Sequence, residues 1–156
     1  MIDLIPDMAA KRAELTTDAL AFEDTTTGLS WSFAKVNAAA DAVAAGLTAR
    51  GLVEGDRVAI PCQNRAECFV ALFACQNTVL ILCPLNLRLP APELTEVVAD
   101  VGISLFLADA AFMDVAQAVA SATETPLLSI EQDLNGWIAA GGPALSAAIP
   151  AERPWY

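Results

Sequence analysis

The chain has 156 residues, enough for one domain with a sizeable core, and carries a formal charge of -11 with a pI near 4.1. After Lys35 its cations are Arg50, Arg57, Arg65, Arg88 and Arg153, which form no basic stripe able to release counterions from a polyanion, so nucleic-acid binding is excluded as a function class. The sequence has no histidine, and that excludes Ser-His and Cys-His nucleophile pairs.

Hydrophobic residues make up 56% of the chain and its mean hydropathy is +0.50. Such an excess implies strands buried on both faces, a surface that a partner covers, or both. Residues 68–87 lack any charge over about the length of a membrane helix, but Gln76, Asn77, Pro84 and Asn86 interrupt them. A helix followed by a strand accounts for the same residues, so no membrane span is expected.

Residues 1–19 mix acids, alanines and two basic residues in a weakly amphipathic pattern, read as a surface helix; they lack the basic and apolar regions of a signal peptide. Leu20-Ala21-Phe22-Glu23 and Leu29-Ser30-Trp31-Ser32 flank a turn-rich segment ending in Gly28, the pattern of a β-hairpin with a positive φ at the glycine. Phe33, Val36, Asn37, Ala40, Val43, Ala44 and Leu47 then recur at helical spacing, with Ser32 as the cap and Gly51 as the stop.

The organising stretch is 51–89, in which two short apolar runs enclose a helix-length segment and read as a βαβ unit. Asn64 and Glu67 have the spacing of a capping box at the start of its helix, which runs to about Asn77 and is apolar nearly all round. A further helix opens at Pro90-Ala91-Pro92-Glu93, buries Leu94, Val97, Val98 and Val101, and ends at Gly102. Residues 103–107 read as a third strand, Asp109 caps a helix with the stripe Phe112, Val115, Ala116 and Val119, and residues 127–130 form a fourth strand. Strands starting near 57, 80, 103 and 126 repeat about every 23 residues, which implies right-handed βαβ crossovers. The fold class is α/β, a mostly parallel sheet with helices on both faces, preceded by the hairpin. A short helix holding Trp137 and Ile138 closes this unit at 142, and residues 143–156 read as a linker.

Ligands of such sheets bind at the carboxyl ends of the strands. Yet Pro61-Cys62-Gln63-Asn64 contains no glycine, and the chain holds neither a dinucleotide fingerprint nor a Gly-x-x-x-x-Gly-Lys phosphate loop. Glu93, Glu96 and Asp100 read as a solvated helix face, and the helix starts at Asn64 and Pro92 offer only a generic anion site. Cys62, Cys68, Cys75 and Cys83 form no Cys-x-x-Cys pair; they read as buried free thiols in a reducing cytoplasm rather than as metal ligands, with Cys68 and Cys75 sharing a helix face. No catalytic, cofactor-binding or metal-binding residue is assigned.

Trp31-Ser32-Phe33-Ala34-Lys35-Val36-Asn37, Ala44-Ala45-Gly46-Leu47, Glu54-Gly55-Asp56-Arg57-Val58-Ala59-Ile60, Gln63-Asn64-Arg65-Ala66-Glu67 and Cys83-Pro84-Leu85-Asn86-Leu87-Arg88-Leu89 with Glu93-Leu94 follow one another over residues 15–109. In this order they resemble the amino-terminal part of AMP-forming acyl-CoA synthetases, with the look of bacterial fatty-acyl-CoA ligases. The resemblance implies a parent enzyme that adenylates a carboxylic acid with ATP and Mg2+ and transfers the acyl group to coenzyme A. The family's phosphate loop and the lysine of its carboxy-terminal domain have no counterpart in this chain, which is therefore expected to be an inactive amino-terminal portion ending before that loop. Its expected partner is the remainder of the adenylation domain, or a second copy through an exposed apolar face. A freestanding binding or interaction module on the same scaffold is the alternative.

The Pro84 and Asn86 match implies a strand end and the turn after it. Three positions depart from the family pattern: Lys35 stands where an acid is usual, Asn77 where a lysine is common, and Val79 where a glycine is common. For that reason either the turn at Val79 differs or the match to the family is imperfect there.

Overall fold

The computed structural model describes residues 7–25, 28–86 and 88–144. Helix α1 (Met8–Leu15) is capped by Asp7, whose carboxylate accepts the Ala10 N–H at 2.8 Å. Strands β1 (Leu20–Glu23) and β2 (Ser30–Ser32) pair antiparallel as the expected hairpin, with Gly28 at φ +72°. Ser32 ends this hairpin and caps helix α2 (Phe33–Ala49), its hydroxyl accepting the Lys35 N–H at 3.2 Å.

The main sheet contains β3 (Arg57–Ile60), β4 (Ile81–Pro84), β5 (Leu105–Ala108) and β6 (Leu127–Ser129), all parallel in the order β4-β3-β5-β6. Helices α3 (Ala66–Thr78), α4 (Ala91–Val101) and α5 (Met113–Thr123) make the crossovers. The expected parallel α/β architecture with a small hairpin sheet is therefore the one observed.

Alternation along each strand distributes the core to both faces. Val58, Ile60, Leu105, Leu107 and Leu128 point into one cluster with α2 and α3, where Val43, Leu47, Val70 and Ala74 are buried. Ala59 and Phe106 point the other way, onto Leu94 and Val98 of α4 and Val119 and Ala120 of α5. The side chains pack where the periodicity placed them, apart from Val97 and Val115, which are exposed. Each lies at the rim of its helix stripe, and only the central residues of the stripe reach the sheet.

Strand β5 begins at Leu105, two residues later than the pattern implied, because the chain first closes helix α4. Gly102 is left-handed at φ +70°, and the Gly102 and Ile103 N–H groups both point to the Val98 carbonyl. At the other end of the sheet, Ile130 leaves β6 to enter a π-helical turn (Ile130–Leu134) that runs directly into α6 (Asn135–Ala140). Trp137 of α6 lies flat against Gly46 of α2, and a Cβ built on Gly46 would clash with its ring. Residues 143 and 144 have no regular structure, and most of the expected linker lies outside the described residues.

The uncharged stretch from Cys68 divides into α3 and β4, and among the described residues no helix is long and apolar enough to cross a membrane. At the position where the family commonly has glycine, Val79 adopts the left-handed conformation, φ 56° and ψ 30°, that ends α3. Its N–H and that of Leu80 return to the Gln76 and Cys75 carbonyls, which closes the helix as a glycine would.

Candidate functional site at the carboxyl ends of the strands

The connection after β3 goes to β4 on one side, while that after β5 goes to β6 on the other. The two strands are neighbours, so their carboxyl ends form the switch point at which parallel α/β sheets bind ligands. Here the switch point is closed by protein. Asp109 follows β5, is buried at 3% exposure, and its carboxylate accepts the Gln63 N–H at 2.8 Å and the Phe112 N–H at 3.2 Å. Asp109, expected to cap α5, instead closes the turn ahead of the helix, whose N-cap is Phe112 without a side-chain cap, and it also holds the loop after β3.

The expected capping box at Asn64 and Glu67 does not form. Arg65 is the N-cap of α3, in extended backbone and without a side-chain cap, because a guanidinium has no lone pair to offer an amide. Its side chain instead turns to Glu67, with Nη2 to Oε1 at 2.9 Å and Nε to Oε2 at 3.0 Å, a bidentate pair. The Arg65 Nη1 group also meets Glu131, just after β6.

Burial pushes the Glu67 carboxyl up, but the hydrogen bonds and charge of Arg65, with help from Asn135, hold it below the ordinary carboxylate range. Glu131 is likewise desolvated and likewise held low by Arg65. The Arg65 guanidinium is stabilised in its charged form by these partners, Glu67 foremost. One arginine thus ties the ends of β3 and β6 together across the sheet.

Beside this network a cavity of about 530 Å³ lies between the hairpin and the start of α3, with Phe22, Asp24, Asn64, Arg65 and Cys68 among its walls. Phe22 stacks on Phe69 at 4.6 Å between ring centroids. Asn64 faces this space, whereas Pro92 is exposed on α4. Glu93, Glu96 and Asp100 are all exposed, in keeping with a solvated face.

The thiols differ from expectation. Cys75 is fully buried and free, with burial pushing its pKa up to about 12, and Cys83 is half-buried and free. Cys62 and Cys68, however, are half-buried and bring their sulfurs together across the loop that opens α3, with Cα atoms 7.4 Å apart, wider than the usual span of a disulfide. The helix returns Cys68 towards the end of β3, so a pair six residues apart in sequence meets in space; Cys68 and Cys75 do not act together.

The motifs that carried the resemblance have structural roles. Gly55 is left-handed at φ +87°, and the Asp56 carboxylate accepts the Val53 N–H at 2.8 Å and the Ser104 hydroxyl at 3.1 Å. These bonds clamp the amino ends of β3 and β5. Pro84 ends β4, and Asn86 accepts the Arg88 N–H at 3.1 Å through its side chain, forming the expected turn. Lys35 sits 4.3 Å over the Trp31 ring, a cation–π contact that an acid at this position could not make.

A four-stranded parallel sheet covered on both faces, joined to an antiparallel hairpin and closed at its switch point, is the α/β scaffold of the adenylate-forming enzymes. The chain belongs to the AMP-binding enzyme family, whose model matches residues 9–148. It is 29% identical over 119 residues to the long-chain-fatty-acid–CoA ligase FadD13 of Mycobacterium tuberculosis, covering 76% of this chain and 24% of that protein. It is 35% identical over 109 residues to the 2-succinylbenzoate–CoA ligase of Bacillus subtilis, covering 69% and 22%.

Among solved structures, the N-terminal domain of FACL13 from Mycobacterium tuberculosis superposes with a TM-score of 0.88 at 23% identity, over 99% of this chain and 41% of that one. A long-chain-fatty-acid CoA ligase structure from Rhodopseudomonas palustris, titled as putative, gives 0.74 at 30% identity, over 80% and 32%. The chain matches the amino-terminal part of AMP-forming acyl-CoA ligases and spans about a quarter of the length of the curated relatives.

Proposed function

We propose that these residues form the amino-terminal α/β subdomain of an ATP-dependent, AMP-forming acyl-CoA synthetase acting in the cytoplasm on a fatty or related carboxylic acid. The observation that carries this reading is the family match over residues 9–148 on a fold that superposes along nearly the whole chain. Two of the relatives are named as ligases of coenzyme A with a carboxylic acid, a long-chain fatty acid in one and 2-succinylbenzoate in the other.

The residues of this chain do not fit the nucleotide. The loop after β3 has no glycine that would let backbone amides approach phosphates, Asp109 is occupied by two amides, and Arg65 is engaged by two glutamates. ATP, Mg2+ and coenzyme A therefore belong to the parent enzyme, and these residues by themselves are inactive.

In the parent, this subdomain supplies a rigid support whose apolar surface is covered by the remainder of the adenylation domain; with that remainder absent, two copies associate through the same surface. On the face that carries α4 and α5, Val97 and Val115 are apolar side chains left exposed.

The test is thioester formation by the full-length gene product, given ATP, Mg2+, coenzyme A and a series of fatty and aryl acids. Acyl-CoA with stoichiometric AMP is expected. Release of ADP instead of AMP, or no thioester with any acid, would reject the reading.

A further inference from the structure

The four cysteine sulfurs of this chain fall into two environments, and only one of them is built for chemistry. Cys75 is sealed in the core, where burial suppresses its thiolate, and the Cys83 thiol is also pushed up, mainly by burial, with Arg57 pulling the other way. Cys62 and Cys68 are both half-buried, and their sulfurs are brought together. Cys68 lies in the first turn of α3, its sulfur 3.3 Å from the Gln63 carbonyl oxygen. It also forms part of the wall of the 530 Å³ cavity beside the hairpin, through which a small thiol can approach.

We propose that Cys62 and Cys68 are a reversible redox modification site that exchanges with small disulfides of the glutathione class. In the oxidising direction the Cys68 thiolate attacks oxidised glutathione, forming a mixed disulfide and releasing one glutathione thiolate. The Cys62 thiolate then attacks the Cys68 sulfur and displaces the second glutathione. One disulfide is broken and one is formed, two electrons pass from the protein dithiol to glutathione, and the two thiol protons end on the released glutathione.

The bond staples the loop that presents the Gln63 N–H to Asp109 and the Arg65 guanidinium to Glu67 and Glu131. The redox state of the pair is thereby read at the carboxyl ends of β3, β5 and β6. This inference is independent of the ligase reading.

The test equilibrates the full-length protein in a series of reduced and oxidised glutathione mixtures, traps free thiols by alkylation, and weighs the peptide that carries both cysteines. The expected result is a dithiol at the reducing end that loses two hydrogen masses at the oxidising end, while Cys75 and Cys83 remain thiols. The Cys62→Ser variant is expected to stop at one glutathione on Cys68. Three results overturn the proposal: both cysteines alkylated at every ratio, a bond that no ratio reduces, or glutathione retained on both cysteines of the unaltered protein.

Discussion

Val79 is a β-branched residue in a left-handed conformation, φ 56°, that costs roughly 1–2 kcal/mol for a side chain with a Cβ. Glycine would relieve that cost and give back about 0.5–1 kcal/mol through the greater freedom of its unfolded chain. Val79→Gly is therefore expected to stabilise the protein by about 1 kcal/mol, read as a higher urea midpoint at unchanged m-value. Asp109 tests the opposite case. Removing its carboxylate leaves the Gln63 and Phe112 amides without their acceptor, so Asp109→Ala is expected to cost about 2 kcal/mol in the same measurement.

At this scale the sequence was legible in part. Asp109 was marked as a helix cap from its position before an apolar stripe, but its bond to Gln63 spans 46 residues and has no local signature. Val79 was visible as a departure from a glycine, whereas the outcome depended on whether the turn or the side chain would give way. The tertiary packing of α3 against α2 and β4 holds the turn, so the side chain carries the strain.

Among the elements, the strands, crossovers and hairpin followed from apolar periodicity and from glycines at helix ends, because those signals are local. The Arg65 network was hidden, since Glu67 at capping-box spacing suited a local bond equally well and Glu131 approaches from the π-helical turn after β6, 66 residues away. The flat contact of Trp137 on Gly46 was hidden for a similar reason: a glycine within an alanine-rich helix announces no partner.

The Arg65 network also has a pH signature. Glu67 and Glu131 are held below the ordinary carboxylate range when folded, so their contribution is full above that range and is lost as pH falls through the depressed folded values. Arg65→Met strands Glu67 in a partly buried site, so it is expected to be less stable than the unaltered protein at neutral pH. The gap should narrow as the pH drops below about 4. Thermal unfolding of both proteins across an acid series checks this, and a gap independent of pH would show that the arginine acts through packing of its stem alone.

For the whole molecule, the apolar excess has two destinations. Much of it is buried on both faces of the parallel sheet, and some remains at the surface as Phe69, Val97 and Val115. The chain matches about a quarter of the length of its relatives, and its strand-end loops are occupied by their own Asp109 and Arg65 contacts. Scaffolding, with catalysis contributed by the rest of the parent, accounts for both features.

The most direct test is isotope exchange between ATP and pyrophosphate in the presence of a fatty acid, measured side by side for residues 1–156 and for the full-length gene product. Exchange by the full-length protein and none by the short chain is the predicted result. Exchange catalysed by residues 1–156 in a contaminant-free preparation would contradict the account.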